Sequence, residues 1–297
     1  MIKIPLRAGQ LTAAISPIGA EITSLHHDGV GELMWPGSED SWHRQAPLLF
    51  PIIGRYPDDL VLVGDGLLNL PPHGFAPDST FAVAQQSEAA CRLVLADDAR
   101  TWAVYPYAFR LTVDFALDER GLTMAIEVHN PSTEAALPFM LGGHPGFAWP
   151  LPAAGNASDH RLGFSRREAS PMLVLSGAPL SDDRSYGFDG QVAWPADIDF
   201  FSLTHALSPV SSEMVTFGTE AVNVALSFEG FETLALWRRD TSPFLCLEPW
   251  TNLPIAATEP THFEDLPEMI RLAPGASRRF AMRIVPGGTK LGAASQS

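Results

Sequence analysis

Four short segments of the 297-residue chain place polar groups among turn residues and aromatics. In Phe50-Pro51-Ile52-Ile53-Gly54-Arg55-Tyr56-Pro57, Arg55 follows an apolar run and a glycine, a position where a guanidinium emerges at a strand end. In Pro71-Pro72-His73-Gly74-Phe75, a histidine sits on a rigid turn. Standing alone, Arg55 also reads as a solvated surface residue and His73 as a turn histidine bonded to a backbone carbonyl. The third segment, Gly142-Gly143-His144-Pro145-Gly146-Phe147-Ala148-Trp149, frames an imidazole with glycines. Glycines let a ligand come close to the backbone, and Phe147 or Trp149 offers a ring for a sugar face. Imidazole titrates near neutrality, so His144 is a natural proton donor, although a buried structural histidine fits the same residues. The fourth is Phe244-Leu245-Cys246-Leu247-Glu248-Pro249-Trp250. On a strand, Glu248 shares a face with Phe244, Cys246 and Trp250, while Leu245 and Leu247 point the other way. A carboxylate among such neighbours is expensive to bury, and burial raises its pKa toward the range of a general base. An exposed strand end is the alternative for Glu248.

The elements that must carry these groups are strands. Leu111, Val113, Phe115 and Leu117 alternate with mostly polar neighbours, and Leu122, Met124, Ile126 and Val128 do so again after Asp118-Glu119-Arg120-Gly121. This pattern predicts a β-hairpin. Val222 to Phe228, Thr233 to Trp237, Phe244 to Glu248 and Phe280 to Ile284 continue the series. Gln10 to Ile15, Glu21 to His26 and Leu60 to Val63 read as shorter strands. No long, capped 3.6-residue period is present. The 26 prolines and 24 glycines are spread throughout, as a fold of many turns requires. The expectation is an all-β sandwich of antiparallel strands in one domain, 1–297, with 288–297 a frayed tail.

Composition narrows the functions. Lys and Arg total 19 against 34 Asp and Glu, a net charge of −15. That field disfavours nucleic acid and anionic membranes as partners, and disfavours phosphorylated substrates more weakly. The uncharged stretch from Ala135 to Gly155 holds four prolines and four glycines, so it is not a lipid-exposed helix. The N-terminus lacks the apolar core of a secretory signal. Two cysteines, Cys91 and Cys246, make neither a disulfide framework nor a CxxC site, which fits a reducing compartment and a cytoplasmic location. His26 and His27 face opposite sides of a strand and cannot share a metal. No HExxH, G-x-S-x-G, P-loop or GxGxxG motif is present. Asp58-Asp59, Asp97-Asp98 and Asp182-Asp183 read as solvated turn pairs.

Taken in order and spacing, the four segments resemble those of the aldose 1-epimerase (galactose mutarotase) family, and most closely its LacX-like branch. The resemblance covers roughly residues 5 to 285. It rests on Pro51-Ile52-Ile53-Gly54-Arg55, His73-Gly74-Phe75, Gly143-His144-Pro145-Gly146-Phe147 and Leu247-Glu248-Pro249-Trp250. It implies a galactose mutarotase-like β-supersandwich that interconverts the α and β anomers of a sugar with no cofactor and no metal. It also implies that Glu248 is the general base, His144 the general acid, and Arg55 and His73 substrate-binding residues. From that assignment, activity should fall at acid pH as Glu248 protonates and at alkaline pH as His144 loses its proton. Two departures stand out. Gly54-Arg55 replaces the Asn-Arg of characterised galactose mutarotases, and the family's sugar-binding aspartate falls where this chain offers Asp199 and His205. The competing readings are a hexose-6-phosphate 1-epimerase, a non-catalytic carbohydrate-binding module, and a two-carboxylate glycosidase or lyase. The last has only Glu248 in a suitable setting.

Overall fold

The computed structural model describes residues 3–63, 66–170, 172–175, 188, 190–198, 204–254, 261–267 and 269–291. The expected hairpin forms as strands Arg110–Leu117 and Leu122–His129, in register from Leu117 opposite Leu122 to Arg110 opposite His129. Its turn is fixed by Asp118, whose carboxylate accepts from the backbone N–H groups of Arg120 and Gly121. The alternation in sequence becomes alternation in burial, with Leu111, Val113, Phe115, Leu122, Met124, Ile126 and Val128 all buried. The other face carries cross-strand pairs such as Arg92–Asp114 and Arg279–Glu127.

This hairpin lies within a nine-stranded antiparallel sheet. The spatial order is Val192–Ala193, Arg161–Phe164, Met214–Gly218, Asn223–Glu229, Ser277–Gly287, Leu122–His129, Arg110–Leu117, Ala90–Ala96 and Ala82–Gln86. A second sheet runs Leu173–Leu175, Thr204–Leu207, Thr233–Trp237, Phe244–Trp250, Gly142–Gly143 and Leu48–Leu49, with Gly146–Ala148 also paired to Phe244–Trp250. One apolar cluster joins the two sheets, from Ile4 and Leu6 through Phe115 and Leu247 to Ile284. Among the described residues the one α-helix is Ala99–Trp102. Asp98 caps it in a reciprocal pairing with Thr101, and Asp97 accepts from the Trp102 indole, so Asp97-Asp98 is a capping pair rather than a solvated turn.

No described helix is long and apolar enough to cross a membrane. The uncharged 135–155 stretch instead supplies short strands Leu137–Phe139, Gly142–Gly143 and Gly146–Ala148. The expected fraying of the tail is not seen at its start. Thr289–Leu291 forms a 3-10 turn whose first two amides donate to Glu220 and Ala221, and 292–297 fall outside the described residues. Asp182-Asp183 also fall outside them. Both cysteines are buried thiols.

Candidate active site

The centre of the site follows from strand register. Gly142 lies opposite Trp250 and Gly146 opposite Cys246 on the same partner strand. The residue midway, His144, therefore falls across from Glu248, and the Leu247 amide donates to the Pro145 carbonyl between them. His144 Nε2 stands 3.1 Å from Glu248 Oε2. Glu248 is 1% exposed and His144 7%, so both groups are buried. The two groups are close but out of line for a hydrogen bond. His144 Nδ1 and both Glu248 oxygens have no hydrogen-bond partner among the described residues. Buried polar atoms without partners are costly, and they concentrate where a ligand supplies the missing bonds.

Strand Phe244–Trp250 is buried on both faces, which explains its lack of polar alternation. Leu245 and Leu247 enter the main core. Phe244 and Cys246 face a separate cluster with Trp35, Trp42 and Trp237. Trp42 stacks on Phe244 at 5.2 Å, lies 4.9 Å from the His144 ring, and meets Trp237 edge-on at 5.5 Å. Opposite Glu248 on the neighbouring strands stand Ala235 and then Ala206, both small and fully buried. Gly146 is required by this packing, because a Cβ there would sit 2.8 Å from the Trp42 ring. The loop bearing Trp42 and Arg44 is anchored by the buried Glu21, whose Oε1 accepts from the Gln45 and Ala46 amides. Trp42, Trp237, Arg44 and Glu21 were not singled out by sequence. Trp237 was open to discovery through its strand pairing with Cys246, whereas Trp42 and Arg44 lie in a loop without a period.

His73 stands beside this centre, its ring edge-on to His144 at 5.8 Å. Its backbone is left-handed (φ +63), and its Nδ1 accepts from the Gly54 amide at 3.2 Å. That bond places the proton of the neutral ring on Nε2. Gly74, which follows, also has positive φ, and a Cβ there would come 2.1 Å from the Phe50 carbonyl oxygen. Arg55 is the outermost of the four residues, 66% exposed and tied through Nε to Asp59 at 3.2 Å. Asp58-Asp59 is therefore only half a solvated pair. Arg44 adds a second guanidinium, bonded to the Pro77 carbonyl and to Asp78.

Burial dominates the proton affinities. Glu248 is raised well above the ordinary carboxylate value by desolvation, and the nearby Trp250 indole draws it back only in part. His144 is pushed well below the ordinary imidazole value, first by desolvation and then by the positive potential of His73 and Arg44. His73 is lowered to about 4 by desolvation and by Arg44 and Arg55. Both shifts disfavour the charged forms, so burial favours the neutral pair, carboxylic acid beside imidazole, over the ion pair. Those directions run opposite to the protonation order expected from sequence. The second proton enters the pair at His144 on the acid side, and the last one leaves from Glu248 on the alkaline side.

Two further expectations change. Phe147 lies opposite Leu245 and Trp149 belongs to the main core, so neither ring faces the pair. Trp149 instead sits beneath the Arg238 guanidinium at 4.5 Å. The aromatic wall is built by Trp42, Trp237 and Phe244. His205 is fully buried on strand Thr204–Leu207 opposite Leu236, on the face away from Glu248. Asp199 lies outside the described residues.

The two sheets and the strand-end pair describe an all-β fold of the galactose mutarotase-like type. A family model described as aldose 1-epimerase matches residues 3–284. The plasmid-encoded LacX protein of Lactococcus lactis subsp. lactis is 28% identical over 287 residues, spanning 91% of this chain and 95% of its own. A galactose mutarotase-like protein from Lactobacillus casei ATCC 334 superposes with a TM-score of 0.85 at 26% identity, covering 96% of this chain and 100% of its own. A galactose mutarotase related enzyme from Lactobacillus acidophilus gives 0.88 at 23% identity, covering 97% and 98%, a likeness of fold. The chain belongs to the aldose 1-epimerase family.

Proposed function

We propose that this chain, acting as one domain in the cytoplasm, is a mutarotase that interconverts the α and β anomers of a free aldose. The observation that carries this reading is the buried His144–Glu248 contact of 3.1 Å beneath an aromatic wall. In a cyclic hemiacetal the reacting hydroxyl oxygen and the ring oxygen share one carbon. A base and an acid for the two must therefore stand side by side, as these two groups do.

In the reactive tautomer Glu248 is ionised and His144 protonated. A Glu248 oxygen takes the C1 hydroxyl proton, and the C1–oxygen bond becomes the carbonyl. The bond from C1 to the ring oxygen breaks with its electron pair going to oxygen, which takes the His144 proton. The pair is left as carboxylic acid and neutral imidazole, the form that burial favours. Rotation about C1–C2 presents the other carbonyl face, and both transfers then run backwards. The two tautomers of the one-proton pair are thus the two ends of ring opening. Hydroxyl groups of the sugar, by donating to the unpartnered carboxylate oxygens, reduce the cost of the charged tautomer. Each positioned transfer contributes about 10²–10⁴-fold.

His73 donates through Nε2 to a sugar hydroxyl, and Arg55 completes the rim. Trp42 and Trp237 present ring faces to the apolar side of the sugar. The guanidiniums nearest His73 are already balanced, Arg55 by Asp59 and Arg44 by Asp78, which favours a neutral sugar over a phosphorylated one. Polarimetry on freshly dissolved α-glucose, α-galactose and a panel of other aldoses tests the reading. Faster equilibration of at least one sugar, with chelator present, supports it. Rates equal to buffer for the whole panel refute it.

A further inference from the structure

Cys246 has no part in the proton transfers just described, yet it shares a strand face with Glu248 two residues away. Its thiol, a His144 ring nitrogen and a Glu248 oxygen all lie within 4.8 Å of one another, and all three side chains are buried. Each residue offers one ligand atom. Thiolate, imidazole and carboxylate together form the donor set that selects zinc over magnesium or calcium, which require oxygen ligands. Zinc bonds of about 2.0–2.3 Å place tetrahedral donors roughly 3.3–3.8 Å apart. The His144–Glu248 separation of 3.1 Å is within a few tenths of an ångström of that spacing, and the Cys246 thiol lies within 4.8 Å of both. Charge also balances. A dication held by one thiolate, one carboxylate and one neutral imidazole is neutral, so it can be buried without a net charge. The buried Glu248 oxygens have no hydrogen-bond partner among the described residues, so the carboxylate has lone pairs to offer.

We infer that His144, Cys246 and Glu248 form a three-ligand zinc site that switches this enzyme off reversibly. Binding converts the Cys246 thiol to a thiolate and releases that proton to solvent. Any proton on Glu248 leaves as well, so affinity rises with pH. Zinc occupies the lone pairs that the sugar's proton transfers need, so it competes with the aldose. The fourth position of the metal is left to water. The inhibitory half of this inference rests on the mutarotase reading, whereas the binding half does not.

The test uses the full chain, cleared of metal with chelator, and titrates in zinc and, as a spectroscopic probe, cobalt(II). Calorimetry should show one zinc per chain, weakened by a saturating concentration of an active aldose and unaffected by equimolar magnesium or calcium. Cobalt should give a thiolate-to-metal charge-transfer band. Cys246→Ala should lose that band and at least about 100-fold in zinc affinity, yet mutarotate at the wild-type rate and resist zinc. If Cys246→Ala does not fold, the wild-type cobalt band and its bleaching by zinc carry the test. Absence of the thiolate band, or equal zinc sensitivity in Cys246→Ala, overturns the inference. If the wild type binds zinc through Cys246 but mutarotates no aldose, the site stands and the functional reading falls.

Discussion

Glu248→Gln isolates the carboxylate's chemistry from its packing. The side chain is 1% exposed, and its neighbours on the same face are Cys246 and Ala235, so an amide of equal shape fills the same space. The ionisable group is already disfavoured as an anion by its surroundings, so the neutral amide adds no buried charge. Stability should therefore change by no more than about 1 kcal/mol. Catalysis should change far more. An amide is no base at these pH values, and among the described residues no other Asp, Glu or Cys lies grouped with His144 except Cys246, whose thiol burial alone keeps biased toward its protonated form in this variant. A loss of at least about 100-fold in kcat, roughly 2.7 kcal/mol of barrier, is expected. The assay is polarimetry on the best aldose found, after circular dichroism and thermal unfolding confirm the fold. A folded Glu248→Gln with near-normal kcat would place the base elsewhere.

Four further outcomes follow from the same geometry. His144→Asn should lower kcat by a similar factor, and the double variant with Glu248→Gln should be little slower than the slower single one, since the two act in one step. The kcat/KM profile should be a bell whose acid limb belongs to His144, so Arg44→Gln, which removes a positive neighbour, should move that limb to higher pH; an unmoved limb would dismiss the electrostatic account. Arg55→Lys and Trp237→Ala should raise KM more than they lower kcat, the latter by roughly three- to tenfold, measured from initial rates. His73 is lowered from 6.5 to about 4, so the unfolded chain takes a proton that the folded one refuses, and stability is lost as pH falls through that window. The full shift corresponds to about 3 kcal/mol, which partial exposure of His73 reduces to about 1–2. Unfolding of wild type and His73→Gln between those pH values should differ by that amount.

The fold was legible where one face of a strand meets water. Arg110–Leu117 and Leu122–His129 declare themselves because every second residue is buried, and their ends match the sequence reading to a residue. Strand Ser277–Gly287 was read as five residues, Phe280 to Ile284, and has eleven, because its ends, Ser277-Arg278-Arg279 and Val285-Pro286-Gly287, bury no alternate residue. In the site, Glu248 and His144 were legible as unusual residues in apolar or glycine-rich settings. Their contact was not, since it depends on a register shared by Gly142 with Trp250 and Gly146 with Cys246. The aromatic wall was misplaced onto Phe147 and Trp149 because segment composition does not reveal which sheet face a ring takes. The protonation order was likewise hidden, for it depends on burial of both partners rather than on residue type.

The central claim is that the buried pair moves protons on a sugar ring. Magnetisation exchange between the α and β anomeric protons of an equilibrated aldose, followed by NMR with catalytic amounts of chelator-treated protein, reads this without any coupled reaction. The wild type should give exchange cross-peaks that are absent in buffer and absent with Glu248→Gln. Sugar binding without exchange in the wild type, across aldohexoses and aldopentoses, would show a binding protein on an epimerase fold.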